Sequence, residues 1–123
     1  PEGSAHVLDI EGLQDDSIKF WSMYENNKLI GCGALKFLDS KHGELKSIRV
    51  ADSFRKKGYG KKIIKVLIEK SRQLDLEKIS IETGSGEFFL PARKLFKNSG
   101  FKKCKPFSHY VDDPNSCYMS LKI

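Results

Sequence analysis

Hydrophobic positions change their period twice along this chain. From Ile18 to Tyr24 the run Ile-Lys-Phe-Trp-Ser-Met-Tyr is aromatic and partly alternating, which predicts a strand. Glu25-Asn26-Asn27-Lys28 predicts a turn whose asparagines accept a positive φ. Leu29 to Leu38 predicts a second strand, loosened by Gly31 and Gly33. After the turn Asp39–Gly43, Glu44 to Ala51 predicts a third. Three strands joined by short turns imply an antiparallel meander. Beyond Lys61 the period becomes helical. Ile63, Ile64, Leu67, Ile68 and Leu74 share one face, and Lys61, Lys62, Lys65, Glu69, Arg72 and Gln73 take the other, with Asp75 closing the segment. Lys78 to Thr83 then predicts a short strand with Ile79 and Ile81 on one side, so strand, helix and strand form a parallel βαβ unit. A second helix is predicted from about Glu87 to Ser99, with Pro91 in its first turn and Gly100 as its left-handed cap. Phe101 to Lys105 is strand-like, Pro106 to Ser116 is a long loop, and Cys117 to Ile123 alternates as a final strand. Residues 1–17 read as an irregular lead-in, with room for one helical turn at Asp9, Ile10 and Leu13. The predicted fold class is mixed α/β (α+β): a meander, a βαβ unit, a later helix and C-terminal strands.

The 123 residues suit a single domain. A composition 39% hydrophobic and 31% charged is that of a soluble globular protein. No run of about 18 apolar residues predicts a membrane span, and no signal peptide is visible. The three cysteines, Cys32, Cys104 and Cys117, are odd in number and lack CxxC spacing, which fits a reducing cytosol better than a zinc site or a disulfide framework. His42, His109 and Asp112 follow no standard zinc spacing, so no metal is expected. The net charge of +6 favours phosphorylated ligands, nucleic acid or anionic lipid. That charge gathers at Arg55, Lys56, Lys57, Lys61, Lys62 and Lys65, and again at Lys94, Lys97, Lys102, Lys103 and Lys105. A solvated lysine-rich face accounts for the second cluster as well as a site does.

The first cluster surrounds Arg55-Lys56-Lys57-Gly58-Tyr59-Gly60, which stands between a predicted strand and a predicted helix. A strand, a basic glycine turn and a helix N-terminus point backbone N–H groups and charge at one place. Gly58 and Gly60 leave no Cβ in the way of a phosphate. These features predict a grip on the pyrophosphate of a nucleotide-type cofactor. A dinucleotide fingerprint needs GxGxxG at the start of an alternating α/β chain. A Walker A loop needs GxxxxGK[ST], whereas Gly60-Lys61 is followed by Lys62.

The same stretch matches R/Q-x-x-G-x-G/A, and on it the chain resembles the GNAT superfamily of acetyl-CoA-dependent N-acetyltransferases. The flanking strand, helix and parallel strand fall in that family's order. Lys94-Leu95-Phe96-Lys97-Asn98-Ser99-Gly100-Phe101 is similar to the family's helix ending in L-Y-E-x-x-G-F. The resemblance spans Trp21 to Ile123. Glu82-Thr83-Gly84, Pro106-Phe107 and Asp113-Pro114-Asn115-Ser116 look like a bacterial subgroup of small GNAT proteins, the YsnE type. Family domains begin with a strand and one or two helices before the meander, so this chain, read as one acetyltransferase domain over 1–123, is expected to lack the first strand and helix.

The resemblance implies roles residue by residue. Backbone amides from Lys56 through Lys57, Gly58 and Tyr59 to Gly60 hold the CoA pyrophosphate, with Arg55 and Lys61 adding charge. The strand Ser47-Ile48-Arg49-Val50 presents its backbone to the pantetheine arm, and a gap between Val50 and Ile81 admits the thioester. Glu44, six residues before Val50, is the candidate general base, and Glu82 at the end of the parallel strand is the second. The backbone N–H of Val50 or a neighbour serves the oxyanion. The family's acid is often a helix tyrosine, replaced here by Phe96, which has no proton to donate. Phe89 stands where an asparagine often contacts the cofactor. Tyr110 and Tyr118 are the replacement acids, against aromatic packing alone. The loop Lys105–Ser116 carries His109, Asp112 and Asp113 and suits a cover for a cationic amine.

The expected activity is direct transfer of acetyl from acetyl-CoA to a primary amine, on a small molecule or a peptide, in the cytoplasm. Two other readings stand beside it. A GNAT-fold protein that binds acyl-CoA without turnover would explain Phe96 and the short N-terminal part. A basic nucleic-acid module would need exposed aromatics among the lysines, where only Tyr59 lies, because Phe20, Trp21 and Tyr24 belong to a distant strand. No membrane partner is expected, and a homodimer would cover the sheet edge that a missing strand leaves bare.

Overall fold

The computed structural model describes residues 6–9 and 17–123. The strands are β1 (His6–Asp9), β2 (Ile18–Glu25), β3 (Lys28–Phe37), β4 (His42–Val50), β5 (Lys78–Gly84), β6 (Lys102–Lys103) and β7 (Ser116–Lys122). The helices are α1 (Tyr59–Gln73) and α2 (Leu90–Asn98). Among the described residues the strands form one mixed sheet in the order β1-β2-β3-β4-β5-β7-β6. β1 to β4 run antiparallel, β4 and β5 are parallel, and β7 pairs antiparallel with both β5 and β6. The predicted meander, βαβ unit, later helix and C-terminal strands are all present.

The local chemistry explains the boundaries. Asn26 and Asn27 take φ of 51° and 63° and close a two-residue turn between Glu25 and Lys28. That is the conformation whose twist matches the flanking strands. α1 buries Ile63, Ile64, Leu67, Ile68 and Ser71 against the sheet. Full burial of each large aliphatic side chain is worth about 1.5–3 kcal/mol. The pairing of β3 shifts register beside Gly31 and at Gly33, as expected of a loosened strand. Side chains there would run into Ile63 and Leu67, so the glycines let α1 seat closely. Gly100 has φ of 103° and ends α2 as predicted.

Several expectations change. Residues 6–9 of the irregular lead-in form β1, whose backbone pairs with β2 from His6 opposite Tyr24 to Asp9 opposite Trp21. The helical turn expected at Asp9, Ile10 and Leu13 lies largely outside the described residues. α1 begins at Tyr59, not Lys61, so Gly60 is already helical. Glu87–Phe89 is a 3-10 turn that precedes α2. Only Lys102 and Lys103 of the Phe101–Lys105 segment pair as a strand.

Alternation gives the sheet two faces. Leu45, Ile79, Ile81 and Met119 point to the helices and into the core. His42, Glu44, Ser80, Glu82, Tyr118 and Ser120 point the other way. The connection between β6 and β7 crosses this second face, where Phe107 meets His42 and Tyr110 meets Glu44. Among the described residues no helix is long and apolar enough to cross a membrane.

Candidate active site

Two structures made by β4 converge on one opening. The parallel ladder pairs His42 with Lys78, Gly43 with Ile79 and Glu44 with Ser80, and there it stops. β4 continues to Val50 and β5 to Gly84 without pairing to each other. Part of the cause is a bulge. Cys32 faces Arg49 and Ala34 faces Lys46, so Ser47 and Ile48 together oppose Gly33, and Ser47 takes φ of 55°. The bulge turns the last residues of β4. Ile48 and Val50 pack toward the core while Ser47 and Arg49 are exposed. The edge of β4 from Leu45 to Val50 therefore faces the opening expected between Val50 and Ile81.

At one end of this opening lies the glycine turn. Lys56 and Gly58 have φ of 59° and 82°, and Gly58 is the N-cap residue of α1. Left-handed residues in a tight turn aim backbone N–H groups into a shared concavity. The first turn of α1 contains no acidic residue, and its N-cap makes no side-chain hydrogen bond. The helix N-terminus is thus left to favour an anion. Lys56, Lys57 and Lys61 are exposed, and the Arg55 guanidinium lies 3.4 Å from Asp52 on the surface. A Cβ on Gly58 would meet nothing within 4 Å, so the space above it is open. Gly60 works differently from the expectation. A Cβ there would lie 2.7 Å from Leu95 Cδ2 and 3.8 Å from Val50 Cγ2, so its bareness serves the packing of α1 on α2. The Tyr59 side chain also turns away. Its hydroxyl donates to Glu25 at 2.6 Å, Lys62 donates to the same carboxylate, and Lys62 stands 5.0 Å over the Tyr59 ring. The bonds from Lys62 and Tyr59 hold the Glu25 carboxyl below the usual carboxylate range, and the bond to Glu25 pushes the Tyr59 phenol up. These three residues tie α1 to the β2–β3 hairpin.

At the other end lies the second face of the sheet. Glu44 is only 2% exposed. Tyr110 donates a 2.6 Å hydrogen bond to its Oε2, and Lys46 stands 3.9 Å from Oε1. Oε1 is buried with no hydrogen-bond partner. Glu82 on β5 accepts a 2.7 Å bond from Ser116, and Tyr118, paired directly across from Glu82, donates to the Val111 carbonyl at 2.9 Å. Phe107, Tyr110 and Tyr118 contact one another at ring distances of 5.2–6.0 Å. Burial, followed by the bond and charge of Glu44, pushes the Tyr110 phenol far above its ordinary range, with Glu82 adding to it. Residues separated by 66 positions in sequence are thus in direct contact.

The expected catalytic residues Glu44, Glu82 and Tyr110 all lie on this face, and Tyr118 joins them. Phe96 packs instead on Phe101 in the core, at 5.3 Å between rings. His109 stacks on Tyr110 at 4.7 Å. Sequence inspection missed Ser116, which holds Glu82. It also missed the seam in which His42 Nε2, Ser80, Ser120 and Cys104 are linked at 2.6, 2.6 and 3.1 Å. Ser80, between Ile79 and Ile81, was the available signal for the seam, a small hydroxyl on the strand face opposite the core. The second lysine cluster lies elsewhere. Lys94, Lys97, Lys102 and Lys103 rim a cleft of about 630 Å³ beside α2, floored by Phe101 and Met119.

Comparison with known proteins agrees with this geometry. Residues 2–101 match the acetyltransferase (GNAT) family. The chain is 46% identical, over its full length and 82% of the relative's, to the uncharacterized N-acetyltransferase YsnE of Bacillus subtilis. It is 38% identical, over its full length and 77% of the relative's, to the uncharacterized N-acetyltransferase YedL of Escherichia coli. The crystal structure of a GNAT family acetyltransferase from Elizabethkingia anophelis with acetyl-CoA bound superposes with a TM-score of 0.79. That match covers 99% of this chain and 100% of the other at 19% identity.

Proposed function

Since the chain belongs to the acetyltransferase (GNAT) family and uses acetyl-CoA as acyl donor, we propose that it moves acetyl directly to a primary amine, with Glu44 as general base and Tyr110 as general acid. The observation that carries this reading is the state of Glu44. It is a buried carboxylate with one oxygen hydrogen-bonded by Tyr110 and the other accepting no hydrogen bond, with only the Lys46 charge 3.9 Å away. A buried acceptor without a donor costs about 1–3 kcal/mol. An ammonium group delivered to Oε1 would relieve that cost and place its proton on a base.

The chemistry requires the amine to lose a proton, since an alkylammonium near pKa 10 has no lone pair for attack. Glu44 takes that proton as the nitrogen closes on the acetyl carbon. Backbone N–H groups on the unpaired edge of β4 around Val50 stabilise the oxyanion that forms. As the carbon–sulfur bond breaks, Tyr110 gives its proton to the departing thiolate. The raised pKa keeps the phenol protonated until that point. Desolvation raises it first, but the negative Glu44 contributes. Once Glu44 is protonated that contribution vanishes, and Tyr110 becomes more acidic at the moment a proton is needed. The Tyr110 phenolate then recovers the proton held by the neighbouring Glu44 carboxyl, and the second proton of the nitrogen, lost as the tetrahedral intermediate collapses to the neutral amide, passes to solvent.

Around the donor, Lys56 to Gly60 offer backbone amides to the pyrophosphate, Arg55 and Lys61 add charge, and Ile48, Arg49 and Val50 offer strand-like pairing to the pantetheine. Glu82, held by Ser116, adds a second negative charge that draws a cationic acceptor. The decisive test is Glu44→Gln, which preserves shape and removes the base. Steady-state turnover should fall by about 10²–10³-fold, while calorimetric affinity for acetyl-CoA stays within about twofold of the parent value, an allowance for indirect effects. Turnover within a few fold of the parent protein would rule Glu44 out.

A further inference from the structure

Given Glu44 as the base, we propose that the acceptor is a primary amine on a short linker attached to an uncharged, aromatic-sized apolar body, and that Phe88, Phe89 and Leu90 form the surface that selects it. The inference rests on that reading of Glu44 and adds the class of acceptor.

Large hydrophobic residues are rarely left in solvent together. Among the described residues the exposed ones are Leu29, Phe88, Phe89, Leu90 and Val111. Three of the five are consecutive, and Phe88 is 87% exposed. Their position follows from the sheet. Ser80, Glu82 and Gly84 alternate onto the same face of β5. A Cβ on Gly84 would overlap the Phe89 ring, so that ring lies on the Glu82 side of the strand. Phe88 meets Phe89 edge-on at 5.1 Å. Gly84 is paired with Ser116, the residue that holds Glu82. Val111 belongs to the loop that carries Tyr110, and its carbonyl receives the Tyr118 hydroxyl. The two loops are joined, because Ser85 bonds the carbonyls of Asn115 and Pro114 at 3.0 and 2.6 Å.

The resulting surface has two zones. Glu44 and Glu82 supply negative charge inside, and Phe88, Phe89 and Leu90 supply apolar area beside the end of β5. An ammonium at Glu44 and an apolar group on the phenylalanines satisfy both at once. A second ammonium, as in a diamine, would meet Glu82 but leave Phe88, Phe89 and Leu90 uncovered. A carboxylate near the amine would face Glu44 and Glu82. Among the described residues the one cation within 4 Å of either carboxylate is Lys46, already paired with Glu44.

The experiment compares kcat/KM for 2-phenylethylamine, 2-methoxyethylamine, putrescine and phenylalanine, in the parent chain and in Phe88→Ser and Phe89→Ser. Phe88 is exposed enough that its loss should not affect folding. The expected result is a preference of about 10–200-fold for 2-phenylethylamine over 2-methoxyethylamine, reduced about tenfold in each variant. A preference for putrescine or phenylalanine, or a ratio unmoved by both variants, overturns the proposal. Calorimetric binding of 2-phenylethylamine to the protein saturated with CoA keeps the two readings apart. If Glu44→Gln turns over normally while Phe88→Ser lowers both the preference and this binding, the base assignment fails and the acceptor class stands. If Glu44→Gln is inactive and Phe88→Ser binds 2-phenylethylamine as the parent does, the acceptor class fails alone. If no amine in the set is acetylated, 2-phenylethylamine binding that is absent or insensitive to Phe88 counts against the proposal.

Discussion

In the proposed reaction the glycine turn and the carboxylate face act in opposite ways. The turn is contiguous, Arg55 to Gly60, and works through its backbone. Its lysines are exposed, its tyrosine is engaged elsewhere, and its character comes from the conformations of Lys56 and Gly58 together with the free end of α1. The face is scattered from Glu44 to Tyr118 and works through side chains, which a parallel ladder, a bulge and a crossing loop bring together. A backbone site survives many side-chain changes and fails when φ is denied. A side-chain site fails when one functional group is removed.

The largest effect after Glu44 should come from Tyr110→Phe. It removes one hydroxyl and keeps the ring contacts with Phe107 and Tyr118. As the acid for thiolate departure, Tyr110 should account for about 10–100-fold in kcat, the low side of acid catalysis because a thiolate leaves well. The loss should be smaller with a donor whose thiol is more acidic, and acetyl-CoA affinity should not change. A uniform loss across donors of different thiol pKa would make Tyr110 a positioning residue for Glu44.

Gly58→Val asks the opposite question. The position needs φ of 82°, where a β-branched residue is strained by about 1–2 kcal/mol. Space is not the obstacle, since nothing lies within 4 Å of the added Cβ. The turn should relax and lose its aligned N–H groups, weakening acetyl-CoA binding by about 5–30-fold with kcat at saturation nearly unchanged. An unchanged affinity would show that the helix end alone holds the anion.

Gly60→Ala sharpens the contrast within the turn itself. The added methyl meets the end of the flexible Leu95 side chain at 2.7 Å. Ala also gains about 1 kcal/mol of helix propensity over Gly. The two effects offset, so the melting temperature should move by no more than a few degrees and acetyl-CoA affinity should hold. A loss of affinity as large as that of Gly58→Val would return Gly60 to a direct role in binding.

These contrasts explain what was legible in the sequence. Asn26-Asn27, the helical period of Ile63, Ile64 and Leu67, and Gly100 are local signals, and each produced the element expected of it. The glycine turn is also local, so its place before a helix could be read directly. Glu44 and Tyr110 could be named as candidates one at a time. Their contact could not, because it depends on a loop of more than ten residues without regular structure. β1 was missed because four residues carry little pattern, and its strand state comes from pairing with β2. The apolar run Phe88-Phe89-Leu90 passed as the start of a helix. Only its exposure and the side of β5 on which Phe89 lies give it another meaning.

The smallest expected effect concerns His42, which belongs to the face but has no part in the proposed transfer. Burial, and then the charge of Lys78, hold its imidazole below the ordinary histidine range, while Asp39 and Glu44 pull the other way. A lowered folded-state pKa means that the unfolded chain takes up the proton first. The contribution is therefore fully present above about pH 6.5, the unfolded value, and is lost as pH falls through the folded value. His42→Gln keeps an amide that can bond Ser80, in place of the 2.6 Å imidazole contact, and does not titrate. Between pH 7 and pH 5.5 the melting temperature of the parent should fall more steeply than that of the variant. The window lies above the range in which Asp39, lowered by its bonds to the Lys41 and His42 amides, begins to protonate. Parallel slopes would place the acid sensitivity outside the seam and leave His42 as a tie between strands.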